Sequence, residues 1–168
     1  RNINRISINI PSIITSILVV GLLWAAAASA DEPKWMQTKS KEMVDQARAA
    51  TQNISIEELK KAIDNDEYVT ILDVRTTIEY EVAHIPEAIN APRGLLEFSI
   101  WSLVPEQDET IYVYCKTGAR AALATKLLND LGYPKAIAVD TGGLAWVKAG
   151  YPVHISISDE TFILQPAP

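Results

Sequence analysis

Cysteine and histidine are scarce in this sequence, which has one cysteine, Cys115, and two histidines, His84 and His154. A single cysteine excludes an internal disulfide and a zinc site built from several thiolates. Two histidines leave too few ligands for a histidine-based metal centre. We therefore expect no metal site, and we expect any chemistry of this chain to be organic.

The sequence also has fewer basic than acidic residues. The chain has 15 Lys and Arg residues against 21 Asp and Glu, which gives a net charge of −6. The basic residues are scattered, so the sequence lacks the basic patch with which proteins neutralise nucleic-acid phosphates. A length of 168 residues suits one domain and excludes a large multidomain enzyme. We predict one acidic domain that does not bind nucleic acid.

The first 30 residues resemble a secretory signal peptide. No charged side chain lies between Ile6 and Ala30, and Arg1 and Arg5 precede this stretch. The apolar run ends in Ala28-Ser29-Ala30, the small-x-small pattern of a signal-peptidase site. We predict cleavage after Ala30 and export to the periplasm. The alternative is an uncleaved anchor that holds the domain at the inner membrane, and only then is the membrane a partner.

Residues 31–54 are predicted to form an N-terminal helical extension, because apolar side chains recur among charges at helical spacing. After it, Ser55 and Glu58 have the spacing of a capping box, which predicts a helix over Ile56 to Asp64. The last residues, 155–168, are predicted to be a tail with an edge segment and a frayed end.

Strand and helix patterns alternate between these two ends. Short apolar, β-branched runs predict buried strands, and longer periodic runs predict helices. The predicted strands are 68–74, 111–114 and 136–139, and the predicted helices are 94–104, 121–131 and one that begins at Gly142. This alternation predicts an α/β domain with a mostly parallel sheet.

Cys115 follows the predicted strand Ile111–Tyr114 and precedes a helix. Ligands of open α/β sheets bind at such strand ends, and the N–H groups of a loop that enters a helix form a cradle for anions. This cradle, with Lys116 and Arg120 beside it, favours a thiolate. Gly118 permits the loop to curl. The alternative is that Cys115 is a small buried hydrophobic residue.

Four motifs, in this order, resemble those of a rhodanese domain, specifically a single-domain exported sulfurtransferase. The resemblance covers residues 55–151, and we assign residues 55–154 to this domain. The motifs are Ile71-Leu72-Asp73-Val74-Arg75 with Glu79-Tyr80, His84-Ile85-Pro86-Glu87-Ala88-Ile89-Asn90, Cys115 to Arg120, and Gly142-Gly143-Leu144-Ala145-Trp146.

The resemblance implies a three-layer fold in which helices flank a mostly parallel central sheet. It also implies that Cys115 takes sulfane sulfur from a donor such as thiosulfate, forms a persulfide and passes the sulfur to cyanide, a small thiol or a protein acceptor. No separate cofactor is needed, because the sulfur is carried covalently. The residues implied to bind the donor are Lys116, Thr117, Gly118, Ala119 and Arg120.

Three charged residues are predicted to support this site. We expect Asp73 to lie near the loop, and Arg75 to pair with Glu79, four residues further on. The resemblance implies that the Arg75–Glu79 pair stiffens the turn after the strand. An exposed pair of this kind adds only about 0–1 kcal/mol, so we expect its role to be geometric.

The sequence departs from the family pattern in the second motif and after the loop. Ala83 and Glu87 stand where the family usually has glycine, which puts the turn near His84 in question. Ala121 stands where many members have serine. We expect His84 to be a turn residue bound to backbone, and Trp146 to be a core residue.

Two other functions remain as alternatives. Cysteine phosphatases and arsenate reductases place five residues between the cysteine and the arginine, whereas four separate Cys115 from Arg120. The shorter loop should suit a sulfur atom better than a tetrahedral phosphate. The second alternative is a non-catalytic rhodanese module that binds a partner or an anion.

Overall fold

A computed structural model of the chain describes residues 33–65, 68–156 and 160–163. The predicted signal peptide, residues 1–30, lies outside the described residues. The chain divides into two compact units, Arg1–Thr38 and Lys39–Pro168, and the sheets lie in the second. Of the described residues, none forms a helix that is both long and apolar enough to cross a membrane.

A parallel five-stranded sheet forms the centre of the second unit. Each pair of neighbouring strands is parallel, in the order β1-β5-β4-β2-β3, which confirms the predicted mostly parallel α/β fold. All residues of β2 and β5 are buried, as their apolar composition predicts. The strands are β1 (Gln52–Ile54), β2 (Thr70–Asp73), β3 (Ile89–Asn90), β4 (Ile111–Tyr114) and β5 (Ala136–Val139).

Six α-helices accompany these strands in the described part of the chain. The capping box is confirmed, because Ser55 accepts a hydrogen bond from the Glu58 N–H at 3.2 Å and its own N–H donates to Glu58 Oε2 at 2.8 Å. A 3₁₀ turn at Arg93–Leu95 precedes the fourth helix. The helices are α1 (Lys34–Ala50), α2 (Ile56–Asp64), α3 (Thr77–Val82), α4 (Leu96–Leu103), α5 (Ala119–Asp130) and α6 (Gly142–Lys148).

The sheet buries a hydrophobic cluster on each face because successive strand side chains point in opposite directions. Leu72 and Val113 pack with residues of α4 and α5 on one face. Ile71 and Tyr114 pack with residues of α2 and α6 on the other, where Trp146 is 1% exposed, as predicted for a core residue. Helices on both faces give the three layers of the expected fold.

The C-terminal region contains a second, smaller sheet. Strands β6 (Pro152–Ile155) and β7 (Glu160–Ile163) pair antiparallel with each other, and β7 lies within residues 155–168, the region predicted as a tail with an edge segment. The predicted domain boundary after His154 therefore falls within a strand. His84 and His154 exchange backbone hydrogen bonds of 2.9 and 2.8 Å, which join β6 to the segment after α3.

Candidate active site

The loop around Cys115 has the strand–loop–helix form that the sequence predicts. Strand β4 ends at Tyr114, residues 116–118 bend, and α5 begins at Ala119. Gly118 has a φ of 90°, a left-handed conformation that glycine adopts without the steric cost of a side chain. We call residues 115–120 the Cys115 loop.

The backbone N–H groups of this loop and of the first turn of α5 are available as donors. The Ala122 N–H makes the first backbone bond of the helix, to Gly118 O at 2.9 Å. Within the part of the chain that the structure describes, the N–H groups of residues 116–121 donate no hydrogen bond to another residue. The start of a helix also carries a partial positive charge. These groups can therefore bind an anion.

Cys115 is 1% exposed, and it packs in the cluster that contains Leu96, Ala121 and Ala124. Such burial by itself fits the alternative of a small core residue. However, Arg120 lies close enough to Cys115 for the thiol to shift the pKa of the guanidinium. The hydrogen bonds that Arg120 donates to Glu79 are the main reason why the pKa of Arg120 is raised, and Cys115 raises it further. The thiol is thus buried beneath a loop that offers amides and a cation.

The predicted ion pair between Arg75 and Glu79 is wrong, because Glu79 binds Arg120 instead. Arg120 Nη1 donates to Glu79 Oε2 and Nη2 to Oε1, both at 2.8 Å. Glu79 is the third residue of α3 and forms a capping box with Thr76, whose N–H donates to Glu79 Oε2 at 3.2 Å. The hydrogen bond from Arg120 is the main reason why the pKa of Glu79 is lowered to about 2.

Arg75 pairs with Asp73, at the end of strand β2. Asp73 is fully buried, and Arg75 Nε donates to its two carboxylate oxygens at 3.0 and 2.9 Å. Arg75 also donates from Nη2 to Ala83 O at 2.7 Å. Burial opposes the charge of Arg75, but the hydrogen bond and charge of Asp73 outweigh it and raise the pKa of Arg75. This pair therefore ties the end of β2 to the segment after α3.

Ala83 and Glu87, which stand where the family usually has glycine, flank the turn around His84. His84 Nδ1 lies 2.9 Å from Tyr80 O, and the two rings stack at 3.7 Å, which confirms His84 as a backbone-bound turn residue. Ala83 has extended backbone, with φ −168°, so no glycine is needed there. Glu87 has a φ of 65°, where a glycine would avoid strain.

The start of helix α6 packs against the Cys115 loop, a contact that the sequence analysis did not anticipate. The Gly143 N–H donates to Cys115 O at 2.7 Å, and the Leu144 N–H donates to Lys116 O at 3.0 Å. A Cβ on Gly142 would lie 2.4 Å from Cys115 O. The sequence signal for this contact is the pair Gly142-Gly143, which is separated by two residues from β5, the strand next to β4. Two loop backbones can approach this closely only where side chains are absent.

A cavity of about 350 Å³ lies beside the loop, between α3 and α6. Its walls are mostly apolar, and its charged or polar lining side chains include Arg75, Glu79, His84 and Lys116. Lys116 and Thr117 are exposed, whereas Ala119 and Arg120 are half-buried. Phe98 and Trp101 are exposed on α4 and do not line this cavity. No cluster of metal-ligating side chains was found among the described residues.

Residues 55–149 match the family model of the rhodanese-like domain. The chain is 38% identical over 93 residues to a Bacillus subtilis protein named "Putative sulfur carrier protein YrkF", covering 55% of this chain and 49% of that one. It is 31% identical over 100 residues to a sulfurtransferase of Allochromatium vinosum, covering 60% of this chain and 92% of that one.

Among solved structures, the chain is similar to a rhodanese-related protein from Thermoplasma volcanium. The TM-score is 0.55 at 32% sequence identity, and the match covers 62% of this chain and 98% of that one. Helix α1 lies before the segment that the family model matches, so the match does not account for it.

Proposed function

Because the chain belongs to the rhodanese-like domain family, we propose that it is a sulfurtransferase that carries sulfane sulfur as a persulfide on Cys115. One observation carries this proposal. The backbone N–H groups of residues 116–121 follow Cys115 directly, lead into a helix and donate no hydrogen bond to any residue that the structure describes. Such a cradle stabilises an anionic persulfide and the oxyanion of a sulfur donor.

The proposed first step needs no external oxidant or reductant. The Cys115 thiolate attacks the outer sulfur of thiosulfate, and a bond forms between these two sulfurs. The sulfur–sulfur bond of thiosulfate breaks, and its electron pair leaves with sulfite. The products are a Cys115 persulfide and sulfite, so atoms and charge balance.

The second step returns the enzyme to its starting state. Cyanide, a small thiol in its thiolate form, or a thiolate of a protein acceptor attacks the terminal sulfur of the persulfide. The bond to the Cys115 sulfur breaks, and its electron pair restores the Cys115 thiolate. Thiocyanate or an acceptor persulfide leaves.

The surrounding residues prepare the loop for these steps. Arg120 adds positive charge next to Cys115, and Glu79 fixes its orientation through two hydrogen bonds. Gly118 permits the curl of the loop, while Lys116 and Thr117 remain exposed at its outer side. Because preformed donors need no reorganisation during the reaction, such an arrangement lowers the barrier.

Loop length favours sulfur transfer over phosphate hydrolysis. Only four residues separate Cys115 from Arg120, and Ala121 stands where a phosphatase would have its arginine. Ala121 is buried and packs near Cys115 in the core. A tetrahedral phosphate would require a wider loop than this one.

Intact-mass measurement after incubation with thiosulfate tests the proposal. We expect the protein to gain one sulfur atom and to lose it on addition of cyanide, with thiocyanate as product. Cys115→Ser should gain no sulfur. An unchanged mass of the unmutated protein would contradict sulfur transfer and favour a binding module. Hydrolysis of an aryl phosphate by the unmutated protein, absent in Cys115→Ser, would favour the phosphatase.

We also propose that this activity is exported. The support is the pattern of residues 1–30, with its apolar run and its Ala28-Ser29-Ala30 site. Small anions and thiols outside the cytoplasm would then be the donors and acceptors. The uncleaved membrane anchor remains the alternative.

A further inference from the structure

Arg48, on helix α1, reaches the Cys115 loop from outside the segment that matches the family model. One terminal nitrogen of its guanidinium lies 3.3 Å from the position that a Cβ on Gly118 would occupy. Its Nε lies 3.6 Å from Asp140 Oδ1, directly after strand β5. Arg48 therefore lies beside Gly118 of the loop and pairs with Asp140, whose backbone packs against Gly118.

Asp140 and Gly118 are in unusually close backbone contact. A Cβ on Gly118 would lie 1.7 Å from Asp140 O, so only glycine fits at this place. The Asp140 N–H donates to Ile54 O at 3.0 Å, which fixes the backbone of Asp140 to strand β1. The position of Asp140 thus limits where Gly118 can lie, and Gly118 sets the curl of the loop.

The end of α1 is itself held firmly. Ala47 is 1% exposed, and Asn53 Nδ2 donates to Arg48 O at 2.9 Å. Within the described residues, Arg48 Nε and Asp140 Oδ1 are both buried atoms without a hydrogen-bond partner. Two oppositely charged atoms that are buried together and held at 3.6 Å attract each other, even without a formal hydrogen bond.

We propose that Arg48 is a positioning residue for sulfur transfer. Its guanidinium holds Asp140 against Gly118, so that the N–H groups of the Cys115 loop stay directed at the bound anion. This inference rests on the proposed function. The C-terminal end of helix α1, which lies outside the matched domain, would then help to position the active site.

If the Arg48–Asp140 ion pair were merely structural, its loss would not slow sulfur transfer. The side chains of Arg48 and Asp140 are 39% and 46% exposed, and pairs this exposed contribute little to stability. A displaced loop, in contrast, slows the reaction strongly, because a shift of about 1 Å in catalytic groups can cost about a hundredfold in rate. Variants of this pair should therefore transfer sulfur more slowly and keep nearly the same stability.

The test compares Arg48→Met with Lys41→Met. Lys41 pairs with Asp45 on the outer side of the same helix, so Lys41→Met removes a cation without contact to the loop. We expect Arg48→Met to slow persulfide formation from thiosulfate by about ten- to a hundredfold in stopped-flow sulfite release. Its urea midpoint should stay close to that of Lys41→Met, whose rate should equal that of the unmutated protein.

A double-mutant cycle with Asp140→Asn tests whether Arg48 acts through Asp140. We expect each single variant to be slow and the double variant to be no slower than Arg48→Met, because both changes break the same link. Arg48→Lys should recover part of the rate. A rate of Arg48→Met within twofold of the unmutated protein, or losses that multiply in the double variant, would overturn the inference. If the unmutated protein takes up no sulfur, the proposed function itself fails.

Discussion

Protonation of Glu79 at low pH should weaken its ion pair with Arg120, a residue of the Cys115 loop, and so lower the stability of the fold. Its pKa is lowered from 4.5 to about 2, chiefly by the hydrogen bond from Arg120. A lowered pKa means that the folded protein prefers the charged carboxylate. The stabilisation is therefore fully present above pH 4.5, the ordinary pKa of the group, and is lost as pH falls through about 2.

We predict that Glu79→Gln lowers the free energy of unfolding at pH 7 by about 1 kcal/mol, the upper value for a partly exposed ion pair. The difference from the unmutated protein should shrink as pH falls below 4.5 and vanish near 2. Urea unfolding across this pH range measures it. Glu81→Gln, at an exposed position of the same helix, is the control and should cost little at any pH. A cost of Glu79→Gln that is independent of pH would show that the ion pair is not its cause.

At the scale of elements, the Cys115 loop depends on the turn between β5 and α6. Gly118 lies against Asp140 O, and Gly142 and Gly143 lie against Cys115 O. Parallel strands β4 and β5 are neighbours, so both loops leave the same edge of the sheet. Close packing of two loop backbones requires residues without side chains, which explains glycine at these places.

We predict that Gly118→Ala reduces sulfur uptake at least a hundredfold, because its Cβ would overlap Asp140 O and displace the loop. Gly150→Ala and Gly94→Ala are matched controls. Gly150 has a φ of 73° but open space around it, so alanine there tests backbone strain alone. Gly94 has open space and needs no left-handed backbone.

Sulfur uptake by intact mass and unfolding in urea should be measured on all three variants. We expect Gly150→Ala to cost about 1 kcal/mol in stability with normal sulfur uptake, and Gly94→Ala to be neutral in both. If Gly118→Ala transfers sulfur as fast as Gly150→Ala, then contact with Asp140 does not determine the shape of the loop.

At the scale of the whole molecule, the sequence predicts the elements better than it predicts their partners. Strands β4 and β5 have the predicted bounds, because both are short apolar runs with turn residues on each side. Strands β1 and β3, of three and two residues, are too short to give a periodic pattern. Element patterns are local, and local patterns are visible in a sequence.

The site was predictable where it is local and not where it depends on topology. Cys115, Gly118 and the start of α5 follow from one continuous segment. The pairing of Arg75 could not be read from its spacing to Glu79, because Thr76 caps α3 and leaves Arg75 outside the helix. The contact of Arg48 with Asp140 requires β1 to lie beside β5, which no local pattern reveals.

The predicted export concerns the chain as a whole, since it decides where the thiol meets its substrates. Signal peptidase requires small side chains at the first and third positions before the cleaved bond, and Ala30 and Ala28 occupy them. We predict that a bacterial host that produces the full sequence releases a soluble periplasmic protein that begins at Asp31. Intact mass and N-terminal sequencing of the periplasmic fraction measure this.

Variants at the cleavage site separate a signal peptide from an anchor. Ala30→Phe should block cleavage and leave the protein in the membrane fraction, because a large side chain does not fit the peptidase at that position. Ser29→Phe is the matched control and should be cleaved normally, because the middle position of the motif tolerates any side chain. Full-length, membrane-bound protein from the unmutated sequence would instead support the anchor. The domain would then act at the membrane surface, with donors and acceptors still outside the cytoplasm.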